Sequence, residues 1–373
     1  MTGTTGGSDQ TMEQASNSSR DKLYNVQILR FVAALFVLVG HIFLGFERGY
    51  VKSEPVEFII PVIWESGVDI FFIISGFIMY YVGRDAFGKS GGAADFIRRR
   101  LIRILPLYWF FTTLMLLSIL FFTGAVNKSS LDVVHVICSY LFIPWYHPDG
   151  GWTPLLGPGW TLNYEMFFYV IFSIGLLFAR RTGLILIASI FFGLVLLGEL
   201  FDLPLVMLSF WTQPIILEFV FGVGLAIAYL QGVRLSTWQR LALIVLGFIL
   251  GGSAAVHDFP FHTRVLWGGI PSLLIAAGVV LGSDFPEMRV RGWLVLGGDA
   301  SYSLYLSHLF TLKVLSIVWN KIGIVSSSGY VVVALVVSVA VSVLAYRYIE
   351  QPLLELAKRW IMPRKVAPVA QRA

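Results

Sequence analysis

The sequence predicts an all-α fold: a polytopic membrane protein with about ten transmembrane helices around a central cavity. Three observations carry this. The chain is 57% hydrophobic and only 13% charged, against about 25% charged residues in soluble domains, and its mean hydropathy is +0.78. Apolar runs of membrane length recur between polar breaks. The basic residues gather in alternate breaks, as membrane orientation demands.

The runs fall near 24–46, 58–82, 101–123, 159–179, 182–199, 212–230, 238–256, 264–282, 293–319 and 329–349. The third is opened by Arg98-Arg99-Arg100 and the fourth by Gly159, and Pro352 ends the last because its ring and missing N–H stop a helix. Segment 131–144, bracketed by Asp132 and Pro144, is too short to span and reads as an interfacial or re-entrant piece.

An even helix count puts both termini on one side. With the N-terminus inside, the inner breaks and tails hold about eighteen Lys and Arg, and the outer ones only Arg48, Lys52, Lys128, Arg264 and Lys321. The predicted location is therefore the cytoplasmic (inner) membrane with both termini cytoplasmic. Residues 1–21, rich in Gly, Ser, Thr and Gln, read as a disordered tail. They lack an apolar leader core, so the first helix is expected to stay in the mature protein. Residues 356–373 form a basic tail, leaving 22–355 as the membrane domain. The net charge of +5 comes from helix-end cations and does not suggest nucleic-acid binding. The single cysteine, Cys138, excludes an intramolecular disulfide and a cysteine metal cluster. No zinc signature, phosphate-binding P-loop or Gly-x-Ser-x-Gly elbow is present, and no metal is expected. His257 and His262 around Asp258 resemble a metal pair only weakly.

The most informative residues lie inside the apolar runs, where polar groups cost several kcal/mol and are normally kept for function. Arg30 and His41 share the first helix. Eleven residues at about 100° each return to within roughly 20° of one face, about 16 Å apart along the axis. The reading is a cation near the inner surface and a general-base candidate deeper, both facing one cavity. The alternative is a snorkelling arginine with a histidine packed on a neighbouring helix. Arg100 and Arg103, three apart, share a face at the inner end of the third helix. With Arg30 they make a candidate phosphate pocket, because guanidinium forks bind phosphates bidentately.

Asp69 lies near mid-membrane and needs a partner, for which His41 and Arg30 are the candidates; it serves either as a tie between helices or in support of catalysis. Glu165, about two turns into the fourth helix, is expected beside His41, where it would raise imidazole basicity and hold one tautomer. Tyr169 shares its face, and Trp160 opens the same helix. In the ninth run Ser301, Tyr305 and His308 form one polar stripe, lining a hydroxylated substrate's path or stitching helices together. Arg347 and Glu350, three apart, are expected to pair structurally.

In order, these blocks resemble the membrane-bound acyltransferase-3 family. Arg30 through His41 resembles its Arg/Lys-x10-His motif, Gly67-Val68-Asp69-Ile70-Phe71-Phe72 through Ser75-Gly76-Phe77 its second block, and Arg100-Leu101-Ile102-Arg103 its Arg-x-x-Arg motif. Trp160-Thr161-Leu162 through Glu165, Tyr302 through His308, and Glu350-Gln351-Pro352 complete the register over roughly 22–355. Asn25 through Arg30 resembles the exopolysaccharide acetyltransferases, and the chain resembles the stand-alone form without an extracytoplasmic esterase-like domain.

The resemblance implies an O-acyltransferase. An acyl group, commonly acetyl, moves from cytoplasmic acyl-CoA (acetyl-CoA) to a hydroxyl of a surface glycan or glycolipid precursor. His41, Glu165 and Asp69 then fall to catalysis, Arg30, Arg100 and Arg103 to the donor phosphates, and Tyr305, His308, Tyr169 and Trp160 to the acceptor. Two readings compete: a transporter of an anionic or glycolipid substrate, against which stands the lack of a detectable internal repeat, and a glycan-assembly scaffold without chemistry of its own.

Overall fold

A computed structural model describes residues 23–54, 61–121, 132–148, 150–254, 261–283 and 289–361. The expected N-terminal tail, Lys128, the His257–Asp258 pair and the end of the C-terminal tail lie outside the described residues. Among the described residues the fold is helical throughout: α1 (Tyr24–Glu47), α2 (Pro61–Gly83), α3 (Gly92–Phe121), α4 (Val133–Tyr140), α5 (Trp160–Gly175), α6 (Arg180–Leu200), α7 (Val206–Trp211), α8 (Leu217–Leu230), α9 (Thr237–Ala254), α10 (Ile270–Val280), α11 (Arg289–Asp299), α12 (Ser301–Ile322), α13 (Ser327–Ala345) and α14 (Gln351–Ile361). Five helical stretches among these residues are long and apolar enough to cross a membrane, and three more apolar helices among them are shorter. Large apolar side chains such as Trp109, Phe121, Leu196 and Val336 stand exposed on their outer faces, the pattern of a protein whose surface solvent is lipid.

The element boundaries depart from the apolar runs in three places. Helix α3 begins nine residues before its expected start, because Asp95 sits in its first turn and pairs with Arg98 at 3.0 Å, favourable at a helix N-terminus. Arg98, Arg99 and Arg100 are therefore helical. The single run expected at 293–319 is two helices: Asp299 accepts a hydrogen bond from Gln27 Nε2 (2.8 Å), and the Ser301 hydroxyl takes the Gly298 carbonyl (2.7 Å), so the chain breaks at Ala300. The last helix passes through a five-residue π segment, Tyr346–Glu350, into α14, which extends past the domain end expected at 355. The short segment near 131–144 is α4, with Asp132 accepting the Val134 amide at its start (2.9 Å).

The centre is built by α2, which packs against both α8 and α1. Small residues permit the α2–α8 approach: a Cβ at Gly76 would come 2.0 Å from the Phe219 carbonyl oxygen, and one at Gly222 equally close to that of Ile73. Beside this crossing Phe219 stacks on both Phe72 (4.7 Å) and Phe168 (4.5 Å), joining α2, α8 and α5. Helices α1, α3, α12 and α14 stand around the other side of α2 and leave a cavity between them.

Candidate active site

The cavity encloses about 540 Å³, a volume suited to a small ligand or cofactor arm. Its polar wall unites residues far apart in sequence: Arg30 of α1, Arg100 and Arg103 of α3, Glu165 and Tyr169 of α5, and Tyr305 of α12. The three arginines thus line one space. Arg30 donates to Gln27 Oε1 (3.1 Å), and Gln27 in turn donates to Asp299 (2.8 Å), which fixes the guanidinium on the wall. Arg100 lies over the Phe96 ring at 5.7 Å, and its Nε is buried without a hydrogen-bond partner.

Arg103 forms an ion pair with Glu350, which is fully buried and also accepts from Ser303 Oγ at 2.6 Å. The expected Arg347–Glu350 pair is replaced by this one, because the π segment gives Tyr346–Glu350 a wider turn and rotates Glu350 toward α3. Glu350 and Ser303 were legible in the sequence blocks as residues, but nothing in their spacing ties them to Arg103.

Glu165 accepts hydrogen bonds from Ser75 Oγ (2.7 Å) and from the Tyr169 hydroxyl. Its partners are these two and not His41. It lines the arginine cavity, and His41 stands outside that wall. The His41 ring instead meets His308, with 4.7 Å between centroids. His308 is in ring contact with Tyr305 at 6.2 Å. The Tyr305 hydroxyl is bonded to Thr161 Oγ1 (2.8 Å) and to the Pro158 carbonyl (3.0 Å). From the cavity, His41 is therefore reached through Tyr305 and then His308. The expectation that Arg30 and His41 line the same cavity holds for Arg30 alone, since His41 packs on His308 of α12, and Tyr305 of the same helix is the one that faces the cavity. Trp160 packs on Phe72 and Tyr164, at 6.5 and 6.0 Å, and is not part of the cavity wall.

Both histidines have a defined tautomer. His41 Nδ1 lies 2.9 Å from the Val37 carbonyl, and His308 Nδ1 lies 3.1 Å from that of Leu304. A carbonyl only accepts, so each Nδ1 carries a hydrogen, and in the neutral ring Nε2 is the nitrogen with the lone pair. That of His308 is buried without a partner.

Asp69 is 1% exposed, and its partner is Arg264. Arg264 Nε donates to Oδ1 at 2.9 Å and Nη2 to Oδ2 at 3.2 Å, a two-pronged pair. The expected partners, His41 and Arg30, are displaced because a π segment, Val265–Gly269, follows Arg264 directly and brings it inward. Arg264 thus leaves the outer-loop group to which its sequence position assigns it. Glu218, fully buried, sits beside this pair: the consecutive glycines 268 and 269 back Asp69 and Glu218, each leaving only 2.9 Å to a carboxyl oxygen from a would-be Cβ. Among the described residues, no group of three or more His, Cys, Asp or Glu is placed to hold a metal ion.

A family model described as an acyltransferase domain matches residues 23–347. The chain belongs to this acyltransferase family. Its similarity to the exopolysaccharide production protein ExoZ of Rhizobium meliloti is 32% identity over 315 residues, covering 83% of this chain and 94% of that protein. Nodulation protein 10 of Rhizobium leguminosarum bv. viciae is 27% identical over 89% of this chain and 93% of its own length. The acyltransferase MdmB of Streptomyces mycarofaciens is 24% identical over 76% of this chain and 78% of its own length. No solved structure matches. The acyltransferase family and the apolar helices make this chain a multi-pass membrane acyltransferase. The arginine cavity and the histidine pair both lie within the matched span, apart from the α14 residues.

Proposed function

We propose that the enzyme moves an acetyl group from acetyl-CoA, entering from the cytoplasm, to a hydroxyl of an exopolysaccharide or its lipid-linked precursor, in the inner membrane with both termini cytoplasmic. The observation that carries this reading is the joining of Arg30, Arg100 and Arg103 in one cavity that ends on the Tyr305–His308–His41 ring series. Three guanidinium groups suit a polyphosphate, and the basic residues at helix ends support the cytoplasmic orientation of that end. The resemblance to an exopolysaccharide production protein supports a glycan acceptor.

In this mechanism the arginines hold the nucleotide, and the pantetheine arm extends along the cavity past Glu165. His41 Nε2, the ring nitrogen opposite the one that meets the Val37 carbonyl, accepts the proton of the acceptor hydroxyl. The hydroxyl oxygen attacks the thioester carbonyl carbon, the C–S bond breaks, and the leaving thiolate takes the proton back from His41. Tyr305 must turn from Thr161 and Pro158 for the thioester to meet His41, so ring motion gates the transfer. Glu165 holds Ser75 and Tyr169 along the donor path.

The test is transfer of label from radiolabelled acetyl-CoA by the purified chain in lipid, together with mass spectrometry of surface glycan from a deletion strain. Acetylated glycan that needs this chain supports the reading. Label that stays on CoA, with unaltered glycan acetylation, overturns it.

A further inference from the structure

The arginine cavity has a second cationic element that the three arginines do not include. Helix α14 presents Gln351, Leu354 and Lys358 to the cavity. These are positions i, i+3 and i+7, one stripe of the helix. Leu354 is buried and fixes that face, while Leu356, Trp360 and Ile361 on the rest of the helix are exposed. Glu350, the residue before α14, is tied to Arg103, so the start of α14 is held against α3. Arg99 and Arg100 of α3 stand in the same wall as Lys358.

The charges in this wall are not equivalent. Arg103 is neutralised by Glu350, and Arg30 is engaged by Gln27. Arg99, Arg100 and Lys358 form no salt bridge among the described residues, and the buried Nε of Arg100 has no acceptor. Arg99 and Lys358 are exposed, which puts them at the mouth of the cavity, and Arg30 and Tyr305 lie further in. Uncompensated like charges repel. An anion at the mouth would remove that cost and supply the missing acceptor.

We infer that Lys358, with Arg99 and Arg100, forms a subsite at the cavity mouth for a phosphomonoester dianion: the ribose phosphate of the coenzyme A donor. The assignment rests on the acetyl-CoA reading above. In that reading the thioester end points inward, so the nucleotide end stays at the mouth. Of its phosphates, the ribose monoester carries the most charge, about −1.5 to −2 at neutral pH, and meets the cations that form no salt bridge with a described carboxylate. The subsite makes α14 a determinant of donor choice, favouring a full coenzyme A thioester over a donor that ends without that phosphate.

The experiment measures donor KM for the full-length chain in lipid with acetyl-CoA and with acetyl-dephospho-CoA, which lacks only the ribose phosphate. The wild type should prefer acetyl-CoA. Lys358→Ala should raise the acetyl-CoA KM about tenfold, the scale of one charge-assisted contact, and change the dephospho donor's KM less than twofold. Lys358→Arg should keep the preference. An equal loss with both donors would assign Lys358 to helix packing and overturn the subsite, as would a wild type that does not distinguish the two. A wild type that transfers from neither donor overturns the acetyl-CoA reading itself and the subsite with it.

Discussion

The rings of His41 and His308 meet at 4.7 Å and 70°, each tied through Nδ1 to the carbonyl one turn back in its own helix. Two helices far apart in sequence thus present two imidazole rings at one place in the bundle.

His41→Ala should reduce turnover by about 10²–10⁴-fold, the usual contribution of a general base, with the detergent-solubilised protein still monodisperse. His308→Phe keeps a ring against His41 but removes the second lone pair, and a smaller loss, about tenfold, is expected. Radiolabel transfer at saturating donor measures both. A well-folded His41→Ala enzyme with near-normal turnover would remove His41 from the chemistry.

Glu165→Gln keeps the shape and still accepts from Ser75 and Tyr169, but removes a negative charge from a cavity lined by four arginines. Turnover should fall at least about tenfold, and the donor KM should stay level or drop, because a repulsion toward the donor phosphates is gone. A raised donor KM with unchanged turnover would instead make Glu165 an organiser of the arginines. Steady-state kinetics with the donor varied decides between these.

Arg103→Ala leaves Glu350 fully buried without its counter-charge, a loss of about 3–5 kcal/mol in stability. Arg103→Ala/Glu350→Gln should recover most of that, because no charge is then stranded. Thermal unfolding in detergent measures the recovery. The donor KM of the double variant then reports what Arg103 contributes to binding, separate from folding.

Asp69→Asn breaks the two-pronged pair with Arg264 and strands a guanidinium that is only 15% exposed. A stability loss of about 3–5 kcal/mol is expected, without a selective change in donor KM, since neither residue lines the arginine cavity. A specific loss of turnover in a thermally stable Asp69→Asn protein would return Asp69 to the catalytic group.

The sequence by itself determined the membrane class, the all-helical character, and the residues worth watching. Apolar composition and length decide a membrane span without reference to neighbours, and an ionisable residue inside such a span is conspicuous for the same reason. Arg30, Arg100, Arg103, Glu165, Tyr169 and Tyr305 were all visible this way, and they line one cavity. Only the tertiary structure decided their partners. Asp69 with Arg264, Glu350 with Arg103, Glu165 with Ser75, and His41 with His308 join residues from 90 to 267 positions apart. Two of these pairings depend on π segments, at Val265–Gly269 and Tyr346–Glu350, which turn a side chain away from the face that a 3.6-residue period assigns to it. Helical periodicity fixes which residues share a face of one helix. Which face meets which is set by the packing of all the helices at once, and by the rule that a charge buried in a membrane must find its opposite wherever the fold brings one within reach.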